Sequence, residues 1–170
     1  MAERLSLKDY QRALAERLRD AGAGHIASKL GMQVGSETWI VDLGDAGEVI
    51  PVPPIGAVPL TKPWFRGVAN VRGNLYSVID FPAFLGVGAV ALGENSRLLL
   101  LGERFRTAAG LLIDRSLGLR NPEQLKPNGG AGEAAPAWLR GEFEDNEGKT
   151  WKELDVPQLV RHADFLSVSA

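Results

Sequence analysis

The 170-residue sequence has no cysteine, only two histidines and no strong excess of charge of either sign. Without cysteine the chain can form no disulfide, no thiolate metal site and no cysteine redox centre. Lysine and arginine total 19 against 21 aspartates and glutamates, a net charge of −2, so no overall positive field attracts nucleic acid or an anionic membrane. We therefore expect no nucleic-acid partner.

Long apolar runs are also missing. No run approaches the roughly 18 residues that a bilayer-spanning helix needs, and Met1 to Leu5 lack the apolar core of a signal peptide. We therefore expect a cytoplasmic protein with no direct membrane insertion. Hydrophobic residues make up 45% of the chain, which is typical of a globular protein with one domain or two closely packed subdomains.

Recognisable catalytic and cofactor motifs are absent from the sequence. His25 and His162 lie far apart, and no paired metal-ligand spacing surrounds either of them. The glycines at 129–132 lack the Gly-Lys-Ser/Thr that completes a phosphate loop, and the glycine patterns at 22–27 and 86–91 do not join a buried strand to a helix. Since no set of acid, base, nucleophile or metal ligands is apparent, we predict no enzyme activity, no metal and no cofactor.

What the sequence does contain is a series of short β-prone runs with tight turns between them. Strands with this spacing and without crossover helices favour a sandwich or barrel over a parallel sheet. Residues 51–63 hold five of the ten prolines, so we predict an extended connector there; residues 121–136 are predicted to be a surface loop. Helices are predicted at 6–20 and at 156–161, the second capped by Asp155. The predicted strands lie near 32–34, 38–43, 48–52, 68–71, 75–81, 96–101, 105–114, 116–120, 138–143 and 149–154.

The most informative stretch is a predicted hairpin within residues 64–85. Gly73-Asn74 separates two β-prone runs, as in a tight two-residue turn. With those two residues at the centre, Val71 would lie opposite Tyr76. The same register pairs Ala69 with Val78, Asn70 with Ser77 and Arg72 with Leu75, which gives one apolar and one largely polar face. Arg72 lies at the tip, where its planar guanidinium can reach a carboxylate on another chain.

The run Trp64-Phe-Arg-Gly-Val-Ala-Asn-Val-Arg-Gly-Asn74, followed by Val-Ile-Asp-Phe at 78–81, resembles the signature of the CheW-like coupling proteins of bacterial chemotaxis. That signature reads roughly G-V-x-N-x-R-G and then x-V-x-D. Ala69, Asn74 and the preceding Pro63-Trp64-Phe65 resemble the PilI-like branch, which serves twitching motility. The resemblance implies a mainly β fold of two small five-stranded SH3-like barrels over residues 28–165, with a helical extension at 1–27, a short C-terminal helix and a tail at 166–170.

The resemblance also implies a function. CheW-like proteins are non-catalytic adaptors that join the regulatory domain of a CheA-like histidine kinase to the cytoplasmic tip of a methyl-accepting chemoreceptor. In the family the receptor groove lies between the barrels and the kinase contacts their flanks. This chain would then lie at membrane receptor arrays and control twitching by type IV pili. The alternative is a small ligand-binding or enzymatic β-barrel protein with an unrecognised pocket.

The candidate binding residues are those of the matched stretch. We predict that Arg72 contacts a partner protein and that Asn70 and Gly73 hold its hairpin, with Arg66 and Trp64 contributing nearby. Trp64 is equally compatible with an interface and with the core. The residues predicted to maintain the fold instead are Gly67, Val71, Val78 and Asp80, the last by accepting backbone N–H groups at a turn or helix start.

Overall fold

Two β-sheets form the framework of residues 28–170, the part of the chain that the computed structural model describes. The helix predicted at 6–20 lies outside these residues. Strand order in the first sheet is β8-β1-β2-β11-β10-β9, and in the second it is β3-β6-β7-β5-β4. The strands are β1 Lys29–Val34, β2 Glu37–Asp42, β3 Ala46–Pro51, β4 Phe65–Val71, β5 Asn74–Asp80, β6 Arg97–Leu101, β7 Ala109–Ile113, β8 Arg115–Arg120, β9 Lys126–Gly130, β10 Leu139–Glu144 and β11 Thr150–Leu154.

Short helices connect and close these sheets. The α-helices are α1 Phe81–Leu85, α2 Val156–Arg161 and α3 Ala163–Leu166, and two 3₁₀ turns lie at Glu103–Phe105 and Pro122–Gln124. As predicted, Asp155 caps α2, accepting a hydrogen bond from the Gln158 backbone N–H at 3.0 Å. Within residues 28–170, no helix has the length and apolar character needed to cross a membrane.

The mainly β, two-subdomain fold class is confirmed, although the hydrogen-bond ladders are open and the first sheet has six strands. The second sheet curls, because Glu48 on β3 meets Arg72 at the β4–β5 turn although β3 and β4 are opposite edges. Side chains, and not a backbone ladder, bridge that gap.

The predicted loop at 121–136 is wrong in part, since Lys126–Gly130 forms β9 and pairs with β10. This five-residue strand, Lys-Pro-Asn-Gly-Gly, has low β-propensity and is exposed throughout. It pairs because the free edge of β10 offers backbone partners, a tertiary effect that outweighs propensity. Pro127 is tolerated because β9 is an edge strand.

The predicted hairpin is present, but its predicted register is wrong. The observed pairs include Val71 with Asn74, Asn70 with Leu75 and Ala69 with Tyr76, so the two turn residues are Arg72 and Gly73. Arg72 adopts a positive φ of 52° and Gly73 one of 87°, the pattern of a type I′ turn. Since the cross-strand pairing moves by two residues, each side chain keeps its predicted face.

Two cores share the central strands of the second sheet. Alternate residues of β6 point to opposite faces: Leu98 and Leu100 lie in the core enclosed by the second sheet, and Leu99 and Leu101 in the core between the two sheets. We call this second core the seam. Both faces of β6 and β7 are therefore covered, which explains their continuous apolar sequences. Buried seam residues from the first sheet and C-terminal helices include Leu30, Met32, Trp39, Trp138, Leu154, Leu159 and Phe165.

Candidate protein-binding site

The hairpin tip, residues 70–74, is held in one conformation by a short-range hydrogen bond. The Asn70 side-chain Oδ1 accepts from the Gly73 backbone N–H at 2.9 Å. Gly73 has no other atoms within 4 Å of the position a Cβ would occupy, so its positive φ, and not lack of space, is what favours glycine there. The tip therefore presents Arg72 from a defined turn.

Arg72 makes a two-point ion pair with Glu48. Its Nη1 donates to Glu48 Oε2 at 2.8 Å and its Nη2 to Oε1 at 2.6 Å. These hydrogen bonds lower the pKa of Glu48 and raise that of Arg72, so both groups are charged at neutral pH. The side chains remain 71% and 44% exposed, and such exposed pairs contribute little to folding. A carboxylate on a partner can therefore approach the guanidinium.

A cleft of about 260 Å³ lies beside this pair, between β3 and the hairpin. Val71, Tyr76 and Leu100 supply its apolar lining, and Glu48 and Arg72 lie at its edge. Sequence reasoning missed Glu48, which is 24 residues from Arg72. No local motif links the two, and only the curl of the second sheet brings them together.

Arg66 is directed to a different place from Arg72. Its Nε donates to Asp80 Oδ2 at 2.8 Å and its Nη2 to the Val90 carbonyl at 2.5 Å. Asp80 is only 1% exposed, whereas the Arg66 side chain is 32% exposed. The two arginines share no partner, so the structure separates Arg66 from the hairpin tip.

Asp80 accepts backbone hydrogen bonds from two segments besides its contact with Arg66. Its Oδ1 accepts from the Ala83 N–H at 3.1 Å, which caps α1. The Val90 N–H lies 3.2 Å from Oδ2. The carboxylate thus joins β5, α1 and the loop that follows α1.

Trp64 is half-buried at the edge of the seam. Its ring meets Phe84 edge-on at a centroid distance of 5.1 Å, and Lys62 Nζ lies 5.9 Å from the Trp64 ring centroid. One side of the indole thus packs in the molecule while part of it remains accessible.

The remaining motif residues lie inside the second subdomain. Val71 and Val78 are buried in its core. Gly67 has a φ of 131°, and a Cβ there would lie 2.0 Å from the Gly56 carbonyl oxygen. Gly56 and Val68 exchange backbone hydrogen bonds of 2.8 and 2.9 Å, so the proline-rich connector lies directly against β4.

Among residues 28–170, no group of three or more His, Cys, Asp or Glu side chains is placed to hold a metal ion. The geometry instead presents charged groups and a hairpin at the surface. Fold and site together define a small two-sheet β protein of the adaptor type, in which accessible side chains are available for contact with another protein.

The model of the CheW-like domain family matches residues 29–164. Protein PilI of Pseudomonas aeruginosa is 30% identical over 148 residues, covering 84% of this chain and 80% of that protein. Chemotaxis protein CheW of Helicobacter pylori is 30% identical over 111 residues, covering 60% of this chain and 66% of that one. The crystal structure of the scaffolding protein TtCheW from Thermoanaerobacter tengcongensis superimposes with a TM-score of 0.67 at 19% identity, covering 84% of this chain and 97% of that one.

The chain belongs to the CheW-like family. It is accordingly a CheW-like coupling protein of chemosensory signalling.

Proposed function

We propose that this protein is a non-catalytic adaptor that couples a methyl-accepting chemoreceptor to a CheA-like histidine kinase in a pathway controlling twitching motility by type IV pili. The observation that carries the proposal is the exposed Arg72 guanidinium, held by a fixed turn inside the CheW-like match. Similarity to PilI over 84% of the chain supports the assignment to a pilus pathway.

The adaptor works by binding and neither uses ATP nor carries a phosphoryl group. A partner carboxylate competes with Glu48 for the guanidinium of Arg72, a replacement that costs little because the existing pair is exposed. Receptor state then biases kinase geometry through differential contacts across the adaptor. On this proposal the protein lies in the cytoplasm, at the periphery of membrane receptor arrays.

Other residues of the matched stretch have supporting parts in the proposal. Asn70 and Gly73 hold the tip by their hydrogen bond. The accessible parts of Trp64 and Arg66 extend the contact surface away from the tip. Gly67 and Asp80 serve the site indirectly, through the connector and α1.

Substitution of Arg72 by glutamate tests the proposal. We expect the thermal midpoint to stay within about 2 °C of the wild-type value, because the pair it disrupts is exposed. Affinity for a kinase regulatory domain, alone or with a receptor tip, should fall about tenfold or more because the new charge repels the facing carboxylate. Co-purification followed by calorimetric titration measures both complexes.

The exchange Glu48→Arg with Arg72→Glu is the matched control. It rebuilds an ion pair across the same gap but reverses the charge at the tip, so binding should remain weak. Recovery of binding would show that the pair only shapes the hairpin. Equal affinity of Arg72→Glu and wild type for both partners would remove Arg72 from the interface.

A further inference from the structure

The connector between β3 and β4 carries an exposed apolar turn that the Arg72 site does not use. Residues 49–61 contain no charged side chain, and every residue from 56 to 60, Gly-Ala-Val-Pro-Leu, is exposed. Leu60 is 86% exposed and Val58 is 38% exposed. Single exposed leucines are ordinary, but a consecutive exposed apolar run is typical of an interaction site.

The backbone of Leu60 is in a conformation that leucine rarely adopts. Its φ is 58°, and it follows Pro59 in the third position of the turn from Val58 to Thr61. Proline followed by a positive φ is the type II arrangement, whose third position normally holds glycine or asparagine. The leucine gains no burial there and its backbone is disfavoured. Folding alone therefore does not account for leucine at this position.

The turn is also fixed on both sides. The Ala170 backbone N–H donates to the Leu60 carbonyl at 3.0 Å, and the Lys62 N–H donates to the Val168 carbonyl at 2.9 Å. Thr61 forms a bridge with Ser169, and its hydroxyl donates to the Val58 carbonyl at 2.9 Å. A side chain presented from a fixed turn loses little conformational entropy when it docks.

We propose that Leu60, with its neighbour Val58, is an anchor that inserts into an uncharged apolar pocket on a protein partner. The inference rests on the proposed function, because that partner is the kinase regulatory domain or the receptor tip. A second copy is a poor match: the largest described cavity, about 530 Å³, is lined by polar and charged groups such as Glu94, Asp114 and Arg115. A lipid surface, being fluid, would not favour one strained turn geometry, whereas a shaped protein pocket does.

The test replaces Leu60 with asparagine, which tolerates a positive φ and removes the apolar side chain. We expect the thermal midpoint of the full chain to be unchanged or higher. Affinity for the kinase regulatory domain or for the receptor tip, each titrated separately, should fall at least about tenfold because a leucine no longer becomes buried. Leu60→Met should retain affinity within about threefold, since methionine is similarly apolar and of similar size. Leu92→Asn, which changes a leucine 56% exposed on another loop, should leave both affinities unchanged.

Several outcomes would overturn the inference. If wild type binds and Leu60→Asn binds both fragments equally well, the anchor is wrong while the adaptor function stands. If wild type binds neither fragment, the adaptor function fails and the partner assigned to Leu60 fails with it. A midpoint lowered by more than about 5 °C would show that Leu60 serves the fold. Loss of wild-type self-association in sedimentation velocity, or of binding to phosphatidylcholine–phosphatidylglycerol vesicles, only in Leu60→Asn would assign the turn to a second copy or to a membrane.

Discussion

Asp80 shows how much one buried carboxylate does in this protein. It is 1% exposed, yet it has hydrogen-bond partners on β4, in α1 and in the following loop through Arg66, Ala83 and Val90. An ionised carboxylate has the acceptor capacity that these donors require. One side chain of the CheW-like signature thus holds together three segments of the second subdomain.

We predict that Asp80→Asn lowers the free energy of unfolding by about 2–3 kcal/mol. The amide keeps the shape of the side chain but removes the charge facing Arg66, and its NH₂ group cannot accept from backbone donors. Chemical denaturation at pH 7 measures the change. Asp164→Asn, at a side chain 72% exposed, is the control and should stay within about 0.5 kcal/mol of wild type; a similar loss in both variants would contradict the assigned role.

At the scale of elements, strand β4 depends on a glycine for its contact with the connector. A Cβ on Gly67 would lie 2.0 Å from the Gly56 carbonyl oxygen, and its φ is 131°. Gly73 in the adjoining turn also has a positive φ, of 87°, but no neighbouring atom within 4 Å of a Cβ. The two glycines therefore separate a steric requirement from a purely conformational one.

We predict that Gly67→Ala destabilises the protein by about 3 kcal/mol or more, because β4 and the connector must move apart. Gly73→Ala should cost only about 1 kcal/mol, since it meets backbone strain without a clash. Equilibrium unfolding in urea compares the two variants. Similar losses would show that the close approach at Gly56 yields easily.

At the scale of the whole molecule, the chain joins its two sheets through the seam. Phe84 of α1 lies at the centre of an aromatic group, with ring centroids 5.1 Å from Trp64, 5.2 Å from Trp138 and 5.8 Å from Phe165. These residues come from segments on both sides of the seam. Because each sheet buries its apolar face against the other, we expect them to unfold together.

Phe84→Ala should lower the free energy of unfolding by about 2–3 kcal/mol, as its ring is partly buried. Unfolding should remain a single transition, with tryptophan fluorescence and far-UV circular dichroism changing together. Leu92→Ala, at an exposed side chain, is the control. Two separate transitions in the wild-type protein would contradict a shared core.

Sequence reasoning predicted the hairpin, its faces and its tip, since alternation of apolar residues and a glycine at the turn are local signals. It placed the turn one residue late, centring it on Asn74 in place of Arg72. Both Gly73-Asn74 and Arg72-Gly73 contain the glycine that a primed turn favours. The Asn70 hydrogen bond to Gly73 and the fit of the hairpin in its sheet decide between them. Strand β9 escaped prediction because its pairing depends on the exposed edge of β10.

The sequence alone determined that this is a mainly β protein of the CheW-like family and that residues 64–81 are its distinctive stretch, because side-chain alternation, turn residues and a long motif are properties of neighbouring residues. Only the tertiary structure decided that Glu48 faces Arg72, that Arg66 belongs to Asp80, and that Leu60 stands exposed in a strained turn. Those relations join positions far apart in the chain, or depend on what the rest of the fold leaves uncovered. Packing of the curled sheets sets them, and local sequence carries no record of it.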